Sequence, residues 1–236
     1  GFPAITPDYA FALHNMPGLA RGAVGLAEGP VNCASCGVRL TLSGRAAHAS
    51  DPESGLSPMP AISALMPGLT GLGRGTLADP DFALVTITHA RMGEPAFGIA
   101  PGEAKVYATL RTRTDAGMET LTARALALAE DTARKDGLRV AHAFDDVFAH
   151  CENDAEATAI LRRTLDTLGL PHGTEGQPWR ASEDFGRFGH VARAAMCVLG
   201  AGRDHPALHT PDYDFPDDLI APGVGIFEQV TRDLMG

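Results

Sequence analysis

The apolar positions of this chain change period several times, and each change marks an element. Tyr9-Ala-Phe-Ala-Leu-His14-Asn15 alternates, and Asn15-Met-Pro-Gly18 has the composition of a turn, which predicts a short strand ending on His14. Val38, Leu40 and Leu42 alternate with Arg39, Thr41 and Ser43, the pattern of a half-buried strand. From Pro58 to about Leu72, Ile62, Leu65, Met66 and Leu69 recur at helical spacing. Phe82–Thr88 is rich in β-formers. Ala104–Thr114 alternates again, with Val106, Ala108 and Leu110 on one face and Lys105, Tyr107, Thr109, Arg111 and Arg113 on the other. Met118 to Asp136 reads as a helix striped by Leu121, Ala125 and Leu128 and stopped by Gly137. Leu138 to about Phe148 reads as a strand.

The order β-α-β-β-α-β across residues 32–148 is the split-βαβ, ferredoxin-like arrangement. One sheet face would carry both helices, leaving the other polar or available to a partner. Further on, Asn153 with Glu156 three residues later predicts a capping box for a helix that runs to about Leu168 and stops at Gly169. The apolar run Met196–Leu199, leaving through glycines, reads as a buried strand. A last helix, about Ala221 to Met235, carries Val224, Phe227, Val230 and Leu234 on one side. The expected fold class is α/β: a small domain (32–148) inserted between two pieces (1–31 and 149–236) of an α/β domain.

The 236 residues suffice for one large or two modest domains, and 44% hydrophobic with 20% charged residues is ordinary globular composition. A net charge of −10 argues against a nucleic-acid or anionic-membrane surface. No apolar run is long enough to span a bilayer. Four cysteines in a chain of this length do not make a disulfide framework, and a reducing, cytoplasmic setting is expected. Cys33-Ala-Ser-Cys36 opens a strand, whereas a redox CxxC uses a helix N-terminus to lower its thiol pKa. Neither Cys151 nor Cys197 supplies a second CxxC for zinc.

The densest chemistry is His205-Pro-Ala-Leu-His209-Thr-Pro-Asp-Tyr-Asp-Phe215, which follows the Met196–Gly202 run. Pro206 and Pro211 stiffen it as a loop, with Asp204, Asp212 and Asp214 near both histidines. Polar loops at the ends of buried strands in α/β sheets are where ligands bind. His14 also sits in such a position. Two loop histidines from the two α/β pieces fit one shared metal site, with carboxylates completing the shell. The plainer readings are an acidic turn whose histidines cap backbone, a structural His14, and a solvent-exposed His48.

Leu13-His14-Asn15, Gly44-Arg-Ala-Ala-His48-Ala, Ile99-Ala-Pro101 with Leu110-Arg111-Thr112, Ser182-Glu183-Asp184-Phe185 and Leu208-His209-Thr-Pro-Asp-Tyr-Asp-Phe215 occur in that order. Together they resemble the aminoacylase/carboxypeptidase group of co-catalytic metallopeptidases, and most closely its hippurate hydrolase and auxin-conjugate hydrolase branch. The resemblance implies His14 and His209 as metal ligands, and Glu183, with Asp184 beside it, as a catalytic carboxylate at the metal pocket. It implies that His48 polarises the scissile carbonyl, often in the partner subunit's site. Arg111 is similar to the arginine that grips the substrate carboxylate, a role suited to a bidentate guanidinium. Gly98 falls where relatives place a substrate-holding asparagine.

The implied activity is metal-dependent hydrolysis of an amide bond in an N-acyl amino acid or small peptide-like substrate. Two divalent ions, zinc first and manganese or cobalt as alternatives, would activate water, and metal and His48 would stabilise the oxyanion. The implied assembly is a homodimer paired through the inserted domain. The family's Cys-x-His or His-x-Asp ligand motif and its glutamate pair have no counterpart in this sequence. On that ground the chain is expected to be a C-terminal part of a family member, inactive by itself. The competing expectation is a non-enzymatic small-molecule-binding or dimerisation module built on the ferredoxin-like insert.

Overall fold

The computed structural model describes residues 6–236. Along the chain run β1 (Tyr9–Pro17), β2 (Val24–Gly25), β3 (Gly29–Asn32), β4 (Ala34–Ser43), β5 (Ala47–His48), α1 (Met59–Thr70), β6 (Ala83–Met92), β7 (Ile99–Ala100) and β8 (Glu103–Thr112). There follow α2 (Asp115–Lys135), β9 (Arg139–Phe148), β10 (Cys151–Asn153), α3 (Ala155–Leu168), β11 (His172–Gly173), β12 (Arg193–Gly202) and α4 (Ile220–Met235). They form two compact units, one of Ala34–Ala149 and one of the described residues up to Cys33 with His150–Gly236.

In the 34–149 unit, β4 is the central strand. It pairs antiparallel with β8 from Ala34↔Thr112 to Ser43↔Glu103, and on its other edge with β9. With β6 beside β8, the sheet order is β6-β8-β4-β9. Alternation places Val38, Leu40 and Leu42 of β4 and Val106, Ala108 and Leu110 of β8 on one face, where they pack with Ile62, Leu65 and Leu69 of α1 and Leu121, Ala125 and Ala129 of α2. α2 begins ahead of its apolar stripe because Thr114 Oγ1 accepts from the Gly117 N–H at 3.2 Å. The β5–β7 ribbon, with Ala47 opposite Ala100 and His48 opposite Ile99, is too short to show any period in the sequence.

Leu40 has no exposure and lies between two paired strands. Leu40→Ala is expected to cost about 2–5 kcal/mol, the range for a large-to-small change in a packed core. Chemical denaturation monitored from this unit would measure it.

In the other unit the sheet order is β1-β12-β2-β11. β1 runs parallel to β12, from Tyr9↔Arg193 through Asn15↔Leu199, and continues to Pro17 across a register shift after Met16. His14 therefore lies within the strand opposite Val198, and not at its end. The pairing partner extends the strand through the turn-like Asn15-Met-Pro segment. Gly200 is required where the chain crosses Ala20, since a Cβ there would lie 2.0 Å from the Ala20 carbonyl oxygen.

Asn153 does not cap α3. Asp154 does, its Oδ1 accepting from Glu156 N and Ala157 N at 2.9 Å each. Asn153 is buried in β10, where its amide donates to the Ala27 and Met196 carbonyls and accepts from Met196 N. It is thus committed to joining strands. The face of α4 also differs from the expectation. Ile226 and Val230 are the buried residues, while Val224, Phe227 and Leu234 of the expected stripe are exposed. Ile226 lies outside that stripe, and it points into the core shared with α3 and β12.

Candidate functional site

His14 is half-buried on β1, its ring edge-on to Trp179 with centroids 4.8 Å apart. Its Nδ1 lies 2.5 Å from the Asn15 carbonyl oxygen. A carbonyl only accepts, so Nδ1 carries the proton and Nε2 of the neutral ring keeps its lone pair. That nitrogen faces Glu183 Oε1 at 3.6 Å. For comparison, a nitrogen and an oxygen each about 2.1 Å from one tetrahedral ion would stand roughly 3.4 Å apart. The backbone anchor on Nδ1 is the kind of outer contact that orients a metal-binding imidazole. Glu183 stands in extended conformation ahead of a 3-10 turn, Asp184–His190. Burial raises its carboxyl pKa, a positive charge on His14, when protonated, lowers it, and Asp184 raises it.

The loop after β12 is tied to the same strand. His205 Nε2 donates to the Asp214 carbonyl at 2.8 Å, and its ring meets Tyr213 edge-on at 5.5 Å. Tyr213 Oη accepts from Asn15 Nδ2 at 2.5 Å, so the loop is fastened to the residue following His14. His209 is exposed, at a left-handed φ of 66°. That conformation costs a non-glycine residue about 1 kcal/mol. The two candidate donors in contact are His14 and Glu183. Among the described residues, no group of three or more His, Cys, Asp or Glu side chains is arranged to hold a metal ion.

Sequence reading did not anticipate Trp179 or Asn32. Trp179 donates its backbone N–H to the Val31 carbonyl at 3.0 Å and bridges to Asn32. Its indole Nε1 and both amide atoms of Asn32, a residue only 2% exposed, are buried without hydrogen-bond partners. Trp179 is the single tryptophan of the chain, the one sequence signal that could have drawn attention to this position.

In the 34–149 unit His48 stands exposed on the ribbon. The Ser50 N–H donates to its Nδ1 at 3.1 Å, and Ser50 Oγ lies 2.7 Å from the same nitrogen. An N–H only donates, so the neutral ring of His48 carries its proton on Nε2. The ribbon brings Gly98 alongside: Ala49 N donates to the Gly98 carbonyl at 3.0 Å. A Cβ built at Gly98 would meet nothing within 4 Å, so an asparagine would fit there. Arg111 is half-buried on β8, opposite Ser35 and Leu84 and out of step with the core-facing Leu110.

Cys33, Cys36, Cys151 and Cys197 are all buried. Burial raises the Cys36 thiol, with Asp145 adding to it, the reverse of what a reactive thiolate requires. No helix among the described residues is long and apolar enough to cross a membrane.

The pattern of Peptidase family M20/M25/M40 matches residues 3–233. The hippurate hydrolase of Campylobacter jejuni is 25% identical over 232 residues, covering 98% of this chain and 60% of that protein. The N-acetyldiaminopimelate deacetylase of Oenococcus oeni is 25% identical over 222 residues, covering 92% of this chain and 57% of that protein. A Bacillus subtilis crystal structure, described as a dinuclear metal binding peptidase of this family, superposes with a TM-score of 0.77 at 18% identity, covering 94% of this chain and 56% of that one. This chain thus spans less than two thirds of the length of the relatives it matches.

Proposed function

Since the chain belongs to Peptidase family M20/M25/M40, we propose that it carries part of the active site of a metal-dependent amidohydrolase acting on N-acyl amino acids or small peptide-like amides. The observation that supports this most is His14: its Nδ1 is anchored to a backbone carbonyl and its Nε2 lone pair is aimed at Glu183. Hydrolysis of N-acyl amino acids would parallel the named activities of the deacetylase and the hippurate hydrolase.

In this reading His14 Nε2, the Glu183 carboxylate and His209 are donors to a divalent metal centre, zinc or alternatively manganese or cobalt. Such ions polarise a bound carbonyl and lower the pKa of water. On the family resemblance, the remaining donors and the general base would be supplied by the Cys-x-His or His-x-Asp motif and the glutamate pair that this sequence lacks. His48 Nε2–H donates to the oxyanion that develops as the amide carbonyl is attacked, and Ser50 holds the proton on that nitrogen. Arg111 binds the substrate carboxylate, and Gly98 stands where the family resemblance places a substrate-holding asparagine. The test is cleavage of a panel of N-acyl amino acids by the complete protein, with the remaining donors and general base present, before and after chelation of metal. An unchanged, metal-independent rate, or none on any amide while small molecules still bind, would reject the hydrolase in favour of a binding module.

The 34–149 unit, which we read as a ferredoxin-like insert, pairs two subunits. β6 and β9 are the outer strands of its sheet, and outer strands present unpaired backbone groups that proteins normally cover. Sedimentation at micromolar concentration is expected to give a dimer. A monomer there would remove the pairing.

A further inference from the structure

Beside the ribbon, within the 34–149 unit, lies a cavity of about 370 Å³ whose lining includes Ala46, Ala96, Ile99 and Pro101. That size is in the range of small-molecule sites, about 300–1,000 Å³. Its walls stand close because glycines allow it. The Gly44 N–H reaches the Gly102 carbonyl at 2.7 Å, and a Cβ on Gly102 would lie 2.3 Å from Ala46 N. Its two acids are already paired, Glu94 with Arg91 and Glu103 with Lys105. The charge at its margin is thereby largely neutralised, and an apolar interior remains.

Two further observations connect the cavity to a ligand. Ile99, which lines it, is the cross-strand neighbour of His48, and residues opposite each other on paired strands project to the same face. Ile99 is also 60% exposed and Phe97 fully so, which puts two large apolar side chains in water at the same short segment. Exposed apolar surface gathered at a concavity marks a binding site more often than a neutral surface.

We propose that this cavity is a subsite for the apolar part of the amide substrate, an acyl chain or an aromatic ring, next to the group contacted by His48. The proposal rests on the assignment of His48 made above. Placed there, an apolar substituent loses its contact with water while the amide stays beside the Nε2–H donor. Ala46, Ala96 and Ile99 then set which acyl groups are accepted, and Gly98 leaves the approach open.

Methyl NMR of the intact protein, titrated with N-benzoylglycine, N-hexanoylglycine and N-acetylglycine, tests this. The benzoyl and hexanoyl compounds should shift the methyl signals of Ala46, Ala96 and Ile99. Ala46→Leu and, separately, Ala96→Leu should weaken their binding roughly 10-fold or more, the scale on which apolar pockets discriminate, with acetyl binding changed less than about twofold. Unshifted methyls, or both variants binding all three compounds as the parent does, would overturn the subsite. Glycine release, measured separately, keeps the two readings distinct. Cleavage with acyl preference untouched by either substitution defeats the subsite and leaves the hydrolase standing, while benzoyl binding at these methyls without cleavage does the opposite.

Discussion

In the complete enzyme, His48→Ala is expected to lower turnover roughly 10²- to 10³-fold, the cost of removing one preorganised donor from an oxyanion site, and to leave metal content unchanged. The side chain is exposed and, among the described residues, bonds to Ser50 two positions on, so the substitution should not disturb folding. A drop of about twofold or less would make His48 a surface residue. Subunit mixing tests where it acts. Joining a His48→Ala subunit to a His209→Ala subunit puts both defects in one site if His48 works across a dimer, and about half the parent activity returns. If none returns, His48 serves its own subunit.

His14→Ala is expected to weaken zinc binding by more than the roughly 10–100-fold that loss of an outer-shell partner costs, because it removes a donor atom itself. Equilibrium dialysis with elemental analysis measures this apart from any turnover. Glu183→Gln should weaken binding too, by removing the charge that faces Nε2 at 3.6 Å. Metal retained at the parent level in both variants would dissolve the pairing of these residues as ligands. Thermal stability should change little in either, since both side chains remain partly exposed.

Much of the 34–149 unit is legible in the sequence because its strands are covered on one face only. Val38, Leu40 and Leu42, then Val106, Ala108 and Leu110, carry a clean period of two. β12 is less informative, since Ala194–Ala201 is buried throughout and a continuous apolar run has no period to read. Asn153 and Asp154 show a different limit. Either can cap a helix, and only the strands that claim the Asn153 amide decide between them. His14 and Glu183 could be nominated singly from their motifs. Their contact, and the Trp179 ring against His14, depend on chain closure across more than 150 residues, which no local pattern encodes.

The register also fixes how one unit interrupts the other. Within the 34–149 unit, Ser35 near its start is the pairing partner of Phe148 near its end. Within the other unit, Asn32 pairs with Cys151 across the same interruption. Seen from β3 and β10, the intervening polypeptide is a loop on the order of 100 residues, whose closure costs about 3 kcal/mol more than that of a tight turn by the logarithmic length law. Once β4 and β9 are zipped, their ends stand one strand spacing apart, about 4.8 Å, and most of that entropic cost has been met inside the inserted sheet. The order of assembly is thereby biased: early formation of the β4–β9 ladder turns a distant pairing, Asn32 with Cys151, into a nearly local one.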